Sequence, residues 1–276
     1  MCYYNIQAKI ILSRKYMAFG ITVLGGGSRG NSLLVHTSDS GLLIDAGFSR
    51  KEILRRLVKS NIDPALVRLI LVTHEHQDHV KGCRILSDHL KIPVCASYKT
   101  FEYLRSERDE KWENTRIFSP GSTFDFETFT ISPFSVQHDS IDPVGFVIEH
   151  QNFKVGVATD LGCVNELVKR RLTDCDALIL ESNYDIDMLR TAPRSLSLKR
   201  RIMGRHGHLD NREAIDALPE LLTSRTKALF LTHISSECND GNLVRKLAED
   251  KLHDLGRADI VLNIVEQDEP SGTVWM

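Results

Sequence analysis

The stretch LILVTHEHQDHVKG, residues 69–82, constrains this chain more than any other, because an apolar run ends abruptly in His74, His76, Asp78 and His79. Residues 68–73 read as a buried strand, since an apolar run without alternation must be covered on both faces. A fold containing it needs a sheet packed between layers. Polar side chains on the loop that follows can then turn toward one point. Neutral imidazoles and a carboxylate in that spacing suit a divalent cation such as zinc, manganese or iron. In an extended loop, His74 and His76 can chelate one ion while Asp78 and His79 address another.

One loop cannot complete a coordination sphere, so further ligands are expected at the ends of later strands. His138 follows an alternating stretch over 122–136, Asp160 follows a strand at 154–158, and His233 follows one at 227–232. Singly, each is more often a structural polar residue. In the company of the histidine loop they complete a ligand set.

Other strands are expected at 20–24, 33–36, 42–45, 144–149 and 177–181, and helices at 51–60, 80–90, 210–222 and 239–255. Pro93, Pro120 and Gly121 mark breaks, and Asp210 or Asn211 caps the helix that follows it. Periodicity by itself supports a mixed α and β class. At 276 residues and 42% hydrophobic composition, the chain can bury a large core without disulfides. A single domain over 19–276 is expected, with residues 1–18 as an N-terminal extension and Met17 as a candidate internal start.

The formal net charge of −2 gives no global attraction to polyanions, so any nucleic-acid contact must come from a local patch. The six cysteines contain no Cys-x-x-Cys pair, which favours reduced, mostly buried thiols. No apolar run approaches the roughly 20 residues a bilayer requires. The first residues also lack a small-residue cleavage site. A cytoplasmic location without membrane contact is therefore expected.

The ordered landmarks LLIDAG with Asp45, THEHQDH, QHD with His138, ATDLG with Asp160 and LTHIS with His233 resemble the metallo-β-lactamase superfamily over nearly all of residues 19–265. The resemblance implies an α/β fold, a four-layer αβ/βα sandwich. It implies that His74, His76 and His138 bind a first metal, that Asp78, His79 and His233 bind a second, and that Asp160 bridges them. Asp45 would brace the histidine loop. Antibiotic-cleaving members of the main class use a cysteine in the second site. Here Asp160 and His79 supply oxygen and nitrogen, as in thioester hydrolases and phosphodiesterases, so β-lactamase activity is not expected.

Four further segments, VLGGGSRGNS at 23–32, DPVGF at 142–146, ILESNYD at 179–185 and GHLDN at 207–211 leading to HISSECN at 233–239, are similar to the YycJ/WalJ/VicX branch of that superfamily. Members of the branch are regarded as bacterial DNA exonucleases. The chain departs from it in two places: Tyr184 stands where a His is expected, and Asp210 and Asn211 stand where a Ser-Asn pair is expected. The resemblance implies a hydrolase that cuts DNA phosphodiester bonds with two divalent ions, zinc or manganese, with iron as a further candidate. Two such cations, roughly 3.5–4 Å apart, would lower the pKa of a bridging water and so supply a hydroxide for in-line attack on phosphorus.

Asp78 or Asp160 would orient that nucleophile. His208 is surplus to the ligand set and is read as lying at a helix start, where anions are favoured; its expected role is to meet the scissile phosphate or protonate the leaving oxygen, with His206 the weaker candidate. An exposed turn histidine is the plain alternative. Substrate contacts are expected from Ser28 and Asn31, from Asn183, and from Lys199 and Arg200 within a basic run that also holds Arg190, Arg194, Arg201 and Arg205. Loop tightness explains the glycines equally well, and a solvated helix face explains the charges. Two other functions stay open. One is a thioester or ester hydrolase of glyoxalase II type, for which the segment after His233 looks too short. The other is a non-catalytic metal-binding regulatory protein, whose mark would be a broken ligand set.

Overall fold

In the computed structural model the described residues are 19–106 and 111–276, so the expected extension over 1–18, with Cys2 and Met17, lies outside them. Strands β1 (Gly20–Gly25), β2 (Ser32–His36), β3 (Gly41–Ile44), β4 (Val67–Leu71), β5 (Val94–Ser97) and β6 (Thr115–Phe118) lie side by side in chain order. The second sheet holds β7 (Phe124–Phe126), β8 (Phe129–Ser135), β9 (Val144–His150), β10 (Phe153–Ala158), β11 (Ala177–Glu181), β12 (Ala228–Thr232) and β13 (Val261–Ile264). A short C-terminal β14 (Val274–Trp275) returns to pair with β1, completing seven strands in each sheet. Each sheet is half antiparallel, β1–β3 and β7–β10, and half parallel, β3–β6 and β10–β13.

The alternation of side chains along each strand divides the core into three apolar layers. Between the sheets, Ile21, Leu33, Val35 and Ile44 of the first meet Phe129, Phe146, Val157 and Phe230 of the second. Truncating such a buried Phe to Ala costs about 3–5 kcal/mol. The outer face of the first sheet is covered by α1 (Arg50–Lys59), followed, beyond the one-turn α2 (Gln77–Val80), by α3 (Cys83–Leu90) and α4 (Tyr98–Ser106), through Ile53, Leu57, Leu86 and Phe101. The outer face of the second is covered by α5 (Glu166–Leu172) and, after the short α6 (Ile186–Thr191) and α7 (Leu196–Ile202), by α8 (Asn211–Leu221) and α9 (Gly241–Asp254), through Val168, Leu218 and Val244. The result is the expected four-layer sandwich.

Three local expectations differ from the structure. The helix read over 80–90 is two pieces, α2 and α3, split near Gly82. There the chain passes so close that a Cβ on Gly82 would lie 2.1 Å from the carbonyl oxygen of Phe48. Asp45, read as the last residue of a strand, lies beyond β3 with φ at 59°, a left-handed conformation that Asp tolerates. His208 is not at a helix start. Asp210 caps α8 by accepting from the Glu213 amide, while His208 sits earlier on a loop and donates its N–H to Ile202 O at 2.9 Å.

β4, β10, β11 and β12 all belong to the parallel halves, and the loops leaving their C-terminal ends converge on one rim. Open α/β sheets place ligands at such strand ends. The two sheets are joined there directly, by Val144 N donating to Thr73 O at 3.1 Å. Among the described residues no helix is long and apolar enough to cross a membrane. Among the described residues Cys95, Cys163, Cys175 and Cys238 are free thiols, and Cys83, Cys95, Cys175 and Cys238 are buried.

Candidate metal centre

The histidine loop is held by one buried carboxylate. Asp45 Oδ1 accepts from the Thr73 amide at 2.8 Å, and its Oδ2 accepts from Thr73 Oγ1 and from His79 Nδ1, each at 2.7 Å. The left-handed turn at Asp45 aims the side chain back across β4. With Nδ1 committed to Asp45, His79 presents Nε2 to the interior, 3.2 Å from Asp160 Oδ2. His74 is pinned through Nδ1 by Thr73 Oγ1 at 3.0 Å, and its buried Nε2 has no hydrogen-bond partner.

The second sheet supplies single residues, one per strand end. His138 donates Nδ1–H to Gly207 O at 2.9 Å, and its Nε2 lies 3.4 Å from His76 Nδ1. Asp160 lies between the groups, with Oδ1 3.8 Å from His138 Nε2 and 3.1 Å from His233 Nδ1. His233 is the second site residue in the left-handed region, φ 58°, and it follows a close approach at the end of β12. A Cβ on Gly26 would lie 2.1 Å from Thr232 Oγ1. Four donor groups result among the described residues, each within 4.8 Å internally: His74, His76 and His138; Asp78, His79 and His233; His74, His79 and Asp160, which joins the first two; and Asp160, Glu181, His208 and His233. His74 Nε2 and Asp160 Oδ2, both buried and without a hydrogen bond, offer lone pairs that a cation would satisfy. The imidazole and carboxylate donors fit a divalent ion.

The donor groups shift one another's protonation. Burial opposes a charge on His79 and on His233, yet the Asp160 carboxylate outweighs it and holds both pKa values well above the ordinary histidine range. Asp160 is held well below the usual carboxylate range, against burial, by His233 and His79. His74 follows its burial and is pushed well below.

Glu181 is the one central group that reasoning from the sequence did not single out. It ends β11 and is fully buried, with Oε1 2.6 Å from His208 Nδ1 and 2.8 Å from His233 Nδ1. Its Oε2 accepts from the amides of Leu161 and Leu209 at 3.0 and 3.1 Å. Burial opposes the charge on both partners, but Glu181 and His208 stabilise each other, lowering the acid and raising the base. A lone carboxylate closing the otherwise apolar strand ALILE was the available signal, because a buried acid needs partners.

Residues 41–234 match the family described as Beta-lactamase superfamily domain. The chain belongs to the metallo-β-lactamase superfamily. It is 35% identical over 247 residues to exodeoxyribonuclease YycJ of Bacillus anthracis, spanning 87% of this chain and 91% of that protein. To exodeoxyribonuclease WalJ of Streptococcus pneumoniae it is 31% identical over 252 residues, spanning 90% and 92% respectively. Among solved structures, the metallo-β-lactamase fold protein YhfI of Bacillus subtilis superposes with a TM-score of 0.71 at 18% identity, covering 94% of this chain and 99% of that one, a likeness of fold. The chain is thus a superfamily hydrolase of the YycJ/WalJ branch.

Within this superfamily fold, a cavity of about 260 Å³ opens beside the donor groups and is bordered by His76, Asp78, His208 and His233. Of the expected substrate contacts, Ser28 and Asn183 border it; Asn183 also donates to His233 O at 2.9 Å. Asn31 does not. It is buried, with Nδ2 2.9 Å from His79 Nε2 and 3.3 Å from Asp78 Oδ2, so it touches the donors themselves. Lys199 and Arg200 also lie away from the cavity, whereas Arg194 and Arg201 border it. His206 is exposed and absent from its wall. Tyr184, one of the departures from the branch pattern, is buried against Leu189 and Cys238 and does not reach the cavity. The Gly-rich segment is tight for packing reasons: a Cβ on Gly30 would lie 2.7 Å from the Phe48 ring.

Proposed function

We propose that the chain is a metal-dependent DNA exonuclease that holds two divalent ions, zinc or manganese, on His74, His76, His138, Asp78, His79 and His233, with Asp160 common to both. The observation that carries this is the position of Asp160, whose two oxygens lie within 3.8 Å of His138 and 3.2 Å of His79, between the two histidine groups. The names of the relatives from Bacillus anthracis and Streptococcus pneumoniae supply the DNA, a substrate in keeping with the expected cytoplasmic location. When bound, such an ion pair supplies Lewis acidity and an activated water.

The chain's own residues do the rest. Asp45 fixes the tautomer and direction of His79. Asp78, on the cavity wall, orients the attacking water. His208 keeps its Nδ1 proton on Glu181 and gives up the Nε2 proton to the leaving oxygen; Glu181 keeps the imidazole protonated until then. The burial of His74, His79, His138, Asp160 and His233 keeps bulk water from competing for them.

Metal-loaded protein on end-labelled duplex DNA, single strands, RNA and a thioester, beside His76→Ala, tests the reading. DNA is shortened from an end by the native protein and left intact by the variant. DNA untouched by both, or a thioester cleaved in its place, overturns it. For His208, the Ala variant retains its metal and loses about 10²–10⁴-fold in turnover; an unchanged rate removes the assigned role.

A further inference from the structure

The basic run divides on the surface of α7 into residues that face the cavity and residues that do not. Leu198, Arg201 and Ile202 stand at i, i+3 and i+4 and border it together. Lys199 falls on another face, with Nζ donating to Arg190 O at 2.6 Å. Arg194, on the turn before the Ser195 cap, joins the same cavity wall. Each of the wall arginines is tethered by a carboxylate that also borders the cavity. Arg194 Nη2 lies 2.7 Å from Glu237 Oε2, and Arg201 Nε donates to Asp139. An exposed ion pair adds little stability, but it fixes the direction of a planar guanidinium.

The tethering leaves donors over. Both terminal nitrogens of Arg201 and the Nη1 of Arg194 make no hydrogen bond among the described residues. Asp139 also ties the wall to the metal centre, since its Oδ1 lies 3.5 Å from His138 Nε2. Arg201 is therefore one carboxylate away from a donor of the first group. At about 260 Å³ the cavity is small even against the roughly 300 Å³ lower end of ligand pockets, and cannot admit a duplex.

Resting on the phosphodiesterase reading above, we propose that Arg194 and Arg201 grip the phosphate next to the scissile one, so that the enzyme selects a polynucleotide over an isolated phosphodiester. The guanidiniums bind phosphate through their uncommitted nitrogens while Glu237 and Asp139 keep them aimed. Removing an arginine then leaves an unpaired carboxylate facing the incoming phosphate, so the loss exceeds that of one contact.

The test compares the native protein, Arg194→Gln/Arg201→Gln and the control Lys199→Gln/Arg200→Gln, all metal-loaded, on a labelled oligonucleotide and on bis(4-nitrophenyl) phosphate, which has no flanking phosphate. In the wall variant KM for the oligonucleotide rises at least about tenfold and the salt dependence of log KM flattens by roughly one unit. Its turnover of the small diester stays within about twofold of native, and the control matches native on both. An unchanged oligonucleotide KM, an equal loss on both substrates, or an equal loss in the control overturns the assignment. Native protein that cleaves the small diester but not the oligonucleotide overturns the DNA reading instead, and cleavage of neither overturns the phosphodiesterase reading.

Discussion

The two sheets build one centre in opposite ways. The first contributes His74, His76, Asp78 and His79 on one continuous segment, the loop after β4 and the one-turn α2, braced by one carboxylate, Asp45, through Thr73 and His79. The second contributes His138, Asp160 and His233 from separate strand ends and His208 from a loop, drawn together by Glu181 and by a backbone carbonyl. A contiguous loop needs one brace, because its geometry is mostly local. A dispersed set needs a brace for each member, because relative positions depend on the packing of a whole sheet. Asp160 is where the two constructions meet.

If the centre depends on that meeting point, Asp160→Ala has the largest effect of any single change. Metal content falls and turnover drops by more than the roughly 100-fold upper end for a residue that only orients a ligand. Elemental analysis and DNA turnover measured together check this, and retention of full metal would mean that the sheets bind ions independently. Asp45→Asn acts directly on His79 and reaches His74 only through Thr73. His79 loses its acceptor and metal affinity falls about 10–100-fold, while His138 keeps its contact with Gly207. A metal titration of that variant with one weakened step and one native step sharpens the contrast; two equally weakened steps erase it.

The smallest effect is on stability and appears only when metal is stripped. His79 and His233 have folded pKa values raised above the ordinary 6.5. The stability they contribute is complete below pH 6.5 and is lost as the pH rises through the folded values. Asp160, whose folded pKa is depressed, works in the other direction: its contribution is present above 3.8 and is lost as the pH falls. Metal-stripped protein should therefore melt at progressively lower temperature from about pH 6.5 upward, while metal-loaded protein, in which ions replace those protons, holds its melting temperature over the same range. Parallel thermal scans of both forms are the check.

Much of this was legible in the sequence. The run into THEHQDH announced a buried strand followed by candidate ligands, since an apolar stretch of that kind must be covered on both faces. The main strands and the long helices α1, α8 and α9 followed from periodicity. The short elements did not. β5, β6, β13 and β14 run from 2 to 4 residues, too short for alternation to declare itself, and α5, α6 and α7 have 6 or 7.

The sequence by itself determined which atoms are available: imidazoles and carboxylates in an order that matches a ligand set, with no cysteine among them. Only the tertiary structure decided which way they face. It turned Asn31 inward onto the donors and aimed Arg194 and Arg201, rather than Lys199 and Arg200, at the cavity. It also made Glu181 the shared partner of two histidines 27 and 52 residues away. Spacing along a chain fixes direction only within one loop or one helical turn; beyond that, direction is set by how the layers pack.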